Sequence, residues 1–270
     1  MKNIALFGVF SLVALSSAEI FAAAPSAESE SKARALVEQM LKEVGPMGEL
    51  RKKNDVEYTY VYETPTGRDV STERYRFDGE LSWAKYTERS RTAPDLKGEL
   101  IQGWDGRSAW STVDGKPVSD EKLVGMANFL RKTNYYWFAM MQKLADPGIQ
   151  YSYEGKRGHQ GVSYDLVKIG FESGIGEVQD AYVLYINPET HLVDQFLFTV
   201  RAFGREDPLL MTVDYVEVEG LKLPANRKYT ASDWNGNVPE DAKWTLEIMK
   251  EIRFNNGFDS KLFQAPKQGA

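Results

Sequence analysis

Tyr135-Tyr136-Trp137-Phe138-Ala139-Met140-Met141 is the core of a helical stretch that opens on the cap Ser119-Asp120-Glu121 and ends before Pro147. The rest of the chain reads almost wholly as β-strands. A helix that is apolar around most of its circumference has to be covered on most sides, and strands can do that by curving around it. The expectation is a curved sheet plugged by a helix. Such a shape either holds a solid core or opens to admit an apolar guest, and the methionine and aromatic content suits a surface that can repack.

Working outward toward the N-terminus, residues 1–24 carry Lys2, an apolar run from Ile4 to Leu15 and then Ala22-Ala23-Ala24, the layout of a secretory signal peptide. A membrane anchor would need about 20 apolar residues, and here Ser11, Ser16, Ser17 and Glu19 break the run. The expected mature chain, residues 25–270, is therefore a single exported domain, expected in the periplasm. Removing the leader deletes Lys2 and Glu19 and leaves the net charge at −6, which argues against a nucleic-acid partner. There is no cysteine, so the core rather than disulfides must supply stability, and thiol chemistry and thiolate metal sites are excluded.

After a linker expected over Pro25 to Glu30, Ala33, Leu36, Val37, Met40, Leu41 and Val44 recur at helical spacing up to the stop Gly45-Pro46. From Asp55 the period changes to two: Val56, Tyr58, Tyr60 and Tyr62 alternate with Glu57, Thr59, Val61 and Glu63, as in a strand with one dry face. Similar runs follow around Tyr75 and Phe77, Leu81 and Trp83, and Leu100 to Trp104, with Asp78-Gly79, Asp105-Gly106 and Asp114-Gly115 as hairpin turns. Beyond the central helix, strands resume at Ile149 and continue in meander fashion to Phe254. On the last strand Trp244, Leu246, Ile248, Ile252 and Phe254 are expected on one face, and Thr245, Glu247, Glu251 and Arg253 on the other. Because one face of most strands is charged or polar, an outer-membrane barrel with a lipid-facing band fits poorly.

The order of amphipathic helix, meander, central helix and second meander resembles the LolA/LolB lipoprotein-carrier superfamily. Local segments carry the resemblance: Tyr182 to Asp194, a strand, a Pro-containing turn and a strand; Asp214-Tyr215-Val216-Glu217-Val218-Glu219-Gly220-Leu221-Lys222-Leu223-Pro224; and the tail from Asn255 through Phe258 to Phe263. The match is to the superfamily rather than to the carrier itself, with Lys132 to Gly148 and Phe171 to Asp180 looking like insertions. The resemblance implies a mainly β fold with helices (α+β), an unclosed antiparallel β-barrel of about 11 strands by the pattern count. It further implies a helical plug or lid, and a concave face that binds a lipid, a lipoprotein acyl chain or another apolar molecule.

The residues expected to line such a site are Tyr58, Tyr60, Trp83, Trp104, Phe129, Tyr136, Trp137, Met140 and Met141, each of which would serve equally in an ordinary filled core. Gly174, Ile175 and Gly176 form a candidate gating loop, with a plain hairpin connection as its bland alternative. Catalysis has little to stand on. The two histidines, His159 and His191, fall at expected turns, no metal-ligand spacing or Gly-x-Ser-x-Gly elbow is present, and no cofactor is implied. Three functions therefore stand: a monomeric carrier or chaperone of apolar ligands, with an envelope membrane protein as a further partner; a non-catalytic envelope scaffold with a filled core; and a hydrolase working through paired carboxylates. An enclosed apolar cavity separates the first two.

Overall fold

The computed structural model describes residues 25–174 and 179–266, so the signal-peptide segment lies outside the described residues. Helix α1 (Ala27–Val44) begins earlier than expected. Ser26 caps it, its side chain accepting from the Ser29 backbone N–H at 3.2 Å, and Glu28 and Glu30 sit in the first turn, where the helix dipole favours acids. Most of the expected linker is therefore helix. Ala33, Val37, Met40, Leu41 and Val44 form its buried stripe, and Gly45 ends it at φ 88°, a conformation open to glycine. A short helix α2 (Met47–Arg51), not expected from the pattern, follows Pro46.

Thirteen antiparallel strands make one continuous sheet. The first six are β1 (Asp55–Thr64), β2 (Gly67–Arg76), β3 (Leu81–Arg89), β4 (Leu100–Trp104), β5 (Ala109–Val113) and β6 (Lys116–Pro117). Helix α3 (Glu121–Lys143) comes next, capped by Asp120 accepting from the Leu123 N–H at 2.9 Å. The second meander comprises β7 (Ile149–His159), β8 (Val162–Phe171), β9 (Tyr182–Ile186), β10 (Val193–Val200), β11 (Arg205–Val218), β12 (Leu221–Ala231) and β13 (Thr245–Phe254). The sequence expectation of about 11 fell short partly because β6 is only two residues long.

The strand order β6-β5-β4-β3-β2-β1-β13-β12-β11-β10-β9-β8-β7 explains the architecture. The two meanders join where β1 pairs with β13, which leaves β6 and β7 as the free edges. Those edge strands are the chain neighbours of α3, so the helix links the two open edges of the sheet. Edge strand β6 ends on Pro117, which cannot donate a further ladder hydrogen bond. The sheet is an unclosed half-barrel with its concave face covered by α1 and α3.

Core packing follows from this placement. Helix α1 and the C-terminal half of α3 (Met140, Met141, Leu144) bury Val167, Ile169, Leu184, Phe196 and Met211 of the second meander. The other side of α3 packs Tyr135, Phe138 and Ala139 against Tyr58, Tyr75, Phe77 and Phe254. Phe138 stacks between Tyr58 and Phe77 at ring separations of 5.4 and 6.0 Å. The outer face carries two smaller apolar patches, each covered. The 232–244 connection lays Val238 and Trp244 near Tyr164, Tyr185 and Leu197, and a turn of 3-10 helix (Ser260–Phe263) seats Phe263 on Trp83 and Trp110. Asp55 holds the tail by accepting from the backbone N–H groups of Asn256, Gly257 and Phe258.

The last strand corrects the simple alternation. Thr245, Glu247 and Met249 are buried, whereas Leu246 and Ile248 are half-exposed. Further along, Phe254 is buried again and out of step. A bulge opposite Tyr58 accounts for both, since the β1–β13 register shifts between Glu57 and Thr59 and Glu251 adopts φ 56°. One extra residue reverses the face of everything on its far side, so Glu247 and Phe254 point the same way.

Candidate ligand-binding cavity

A cavity of about 1420 Å³ lies between α3 and the sheet. Its two sides differ because α3 faces both meanders. On the second-meander side the walls are Ile149, Phe171, Tyr182, Phe198, Val200 and Leu209, with Tyr136, Trp137 and Phe129 of the helix. The Trp137 ring lies 5.9 Å from Phe196 and 5.3 Å from Phe198. Phe129 meets Phe203 at 5.0 Å, and Phe203, on the β10–β11 hairpin, is 70% exposed at the cavity rim.

The first-meander side is polar, because the register sets two rows of tyrosine and polar residues across the strands. One row runs Asp69, Tyr62, Glu247 and Arg227 across β2, β1, β13 and β12, and the next runs Tyr86, Ser71, Tyr60 and Met249 across β3, β2, β1 and β13. Tyr62 shares a hydroxyl–hydroxyl hydrogen bond of 2.6 Å with Tyr229 of β12, and Arg227 pairs with Glu247 at 2.8 Å. Arg227 also donates to the backbone carbonyl of Trp137 at 2.6 Å and lies over the Trp137 ring, so it ties the middle of α3 to the sheet.

One turn pair up the helix, Arg131 donates to Glu73, and both side chains are fully buried. Glu73 further accepts from Ser71 at 2.8 Å, Tyr75 at 3.0 Å and Asn134 at 3.3 Å. Burial alone would lower the Arg131 pKa, but Glu73 beside it raises it above the usual value, so the guanidinium stays charged in the dry interior. Burial also pushes the tyrosine hydroxyls up: Tyr86 and Tyr136 to about 12, and Tyr60, Tyr75 and Tyr182 well above the ordinary range. These phenols are therefore neutral hydrogen-bonding groups at physiological pH.

Of the nine residues singled out in the sequence, Tyr60, Trp104, Phe129, Tyr136 and Trp137 line the cavity. Tyr58, Met140 and Met141 are packed in the surrounding core. Trp83 sits on the outer face, where Arg74 lies 4.6 Å over its ring. Its parity along β3 is opposite to that of Tyr86, which faces the cavity. Ile175 and Gly176 lie outside the described residues, and Gly174 has φ 85°. Just beyond them Asp180, at the cavity wall, accepts from Thr199 at 3.0 Å and from the Arg201 N–H at 2.8 Å.

The buried polar set was not anticipated, although half of it was readable. Counting back by twos from Phe77 and Tyr75 places Glu73, Ser71 and Asp69 on the inner face. Arg131 lies four residues before Tyr135 and so on the same helical stripe. Glu247 could not be placed by counting from Phe254, because the bulge intervenes. His159 ends β7 and His191 occupies the β9–β10 turn, and no group of three or more metal-ligating side chains occurs among the described residues.

An unclosed half-barrel roofed by helices over a partly apolar cavity defines the LolA-like fold class, and the solved structures agree. A LolA superfamily protein from Nitrosomonas europaea superposes with a TM-score of 0.51 at 12% identity, over 86% of this chain and 97% of that one. A DUF1329 family protein from Desulfovibrio piger gives 0.50 at 11% identity over 86% and 97%. Residues 26–206 match the family described as "Family of unknown function (DUF6503)". The chain belongs to that family. No curated protein matches it.

Proposed function

We propose that this protein is an exported, monomeric carrier or chaperone that shelters a lipid, an acyl chain or another apolar ligand beneath α3. In this account residues 1–24 are removed and residues 25–270 act as one domain in the periplasm. The observation that supports it is the cavity of about 1420 Å³ with aromatic walls on the second-meander side. Ligand cavities commonly hold about 300–1,000 Å³, so there is room for an extended chain, and a scaffold with a filled core has no use for the space. Burying a chain of roughly 16 carbons at about 0.8 kcal/mol per CH₂ offers on the order of 12 kcal/mol before entropic costs.

Release needs a movable cover. Helix α3 joins the free edges of the sheet and is fastened at discrete points, Arg131 to Glu73 and Arg227 to the Trp137 carbonyl. An envelope membrane protein that loads or unloads the cavity would act on this helix.

The test is uptake of N-phenyl-1-naphthylamine, whose emission rises in apolar surroundings. The expected result is saturable enhancement reversed by fatty-chain competitors. A protein that gives no enhancement has no accessible apolar cavity and contradicts the proposal.

A further inference from the structure

We infer that the cavity is built for an amphiphile with a neutral, hydroxyl-bearing head, and that the head docks at Tyr60 and Glu247. This rests on the ligand-binding reading above and adds the chemical class of the ligand.

The starting point is one unmet hydrogen bond. Tyr60 lines the cavity, is 7% exposed, and its hydroxyl has no hydrogen-bond partner among the described residues. Glu247 lines the same cavity at 4% exposure, with its Oε2 2.8 Å from the Arg227 guanidinium. A polar group left unpaired at a buried wall favours a ligand group that pairs with it, and the Tyr60 hydroxyl is such a group. Tyr62 pairs with Glu247 across β1 and β13 and lies in the strand two residues from Tyr60, so the groups share one corner.

The chemistry of the corner selects the head. Glu247, a carboxylate, accepts hydrogen bonds only, and the Tyr60 hydroxyl can donate or accept. An alcohol supplies both functions in one group. A carboxylate or phosphate supplies acceptors only and would face the Glu247 carboxylate, whose charge is already balanced by Arg227. The tail has a separate place, since the opposite wall at Phe198, Leu209 and Trp137 is apolar.

A tail-matched series tests this with the full mature chain. Displacement of N-phenyl-1-naphthylamine is measured with 1-monododecanoylglycerol, dodecanoate and dodecyl phosphate, each below its micelle threshold, on the wild type and on Tyr60→Phe. The substitution keeps the ring and removes a hydroxyl that holds nothing in the protein, so folding is preserved. Wild-type protein should bind the glyceride roughly tenfold tighter than either anion, and Tyr60→Phe should weaken the glyceride roughly fivefold while leaving both anions unchanged, as loss of one hydrogen bond predicts. Equal binding of all three, preference for an anion, or an unaltered glyceride affinity in Tyr60→Phe overturns the head assignment while the apolar cavity stands. Failure of the dye itself to bind overturns both.

Discussion

Replacing Arg131 with methionine is expected to destabilise the protein by about 3–5 kcal/mol, because it leaves the Glu73 carboxylate charged and without its counter-ion in a dry interior. Both side chains of the pair are fully buried between α3 and the sheet. Glu73→Gln alone should also be costly, since Arg131 then loses the charge that holds it. The double variant Glu73→Gln/Arg131→Met should recover a large part of the loss: it removes both charges while the amide oxygen can still accept from Ser71 and Tyr75. Urea midpoints for the four proteins form the cycle. If Arg131→Met costs less than about 1 kcal/mol, the pair behaves like a solvated surface bridge, and its role in seating the helix is refuted.

Thr133→Trp should have the largest effect on binding. Thr133 sits on α3, half-buried, with its side chain on the cavity wall. An indole there occupies space that a ligand tail would otherwise fill. Displacing three or four methylenes at about 0.8 kcal/mol each corresponds to a loss of roughly 100-fold in affinity. The substitution fills a void rather than invading a packed region, so the thermal midpoint should hold or rise. Displacement of N-phenyl-1-naphthylamine and a melting curve measure the two effects. Unchanged affinity in a folded Thr133→Trp protein would place the ligand elsewhere.

Much of the half-barrel was legible in the sequence because its signals are local. The alternation of Val56, Tyr58, Tyr60 and Tyr62 and the Asp-Gly turns specify hairpins one at a time, and a chain of hairpins is a meander. The apolar girth of Tyr135 to Met141 required a sheet wrapped around it, and α3 does contact both meanders. What the sequence did not reveal depends on pairing between distant segments. The bulge at Glu251 is visible only once β1 lies beside β13, and it decides that Glu247 faces inward. Trp83 looked like a cavity residue because it is large and aromatic, but its face is set by the parity of β3, and the outer patch it fills exists only because the tail folds back to bring Phe263 there.

The binding wall was likewise half readable. Aromatic residues on α3 announced themselves, and Tyr136, Trp137 and Phe129 do reach the cavity. The polar corner did not, because charged residues on a strand normally mark the solvent side, and only the pairing of Arg227 with Glu247 and of Arg131 with Glu73 makes their burial tolerable. The result is a cavity with an apolar side and a hydrogen-bonding side, divided by the helix that covers it.

The most direct test of the central claim is native mass spectrometry of the protein purified from its own envelope without detergent exchange. The account predicts a bound population heavier than the mature chain by the mass of an amphiphilic molecule, released on collisional activation and diminished in Thr133→Trp. A spectrum showing the bare mature chain alone, from a protein that also fails to take up added lipid, would contradict it.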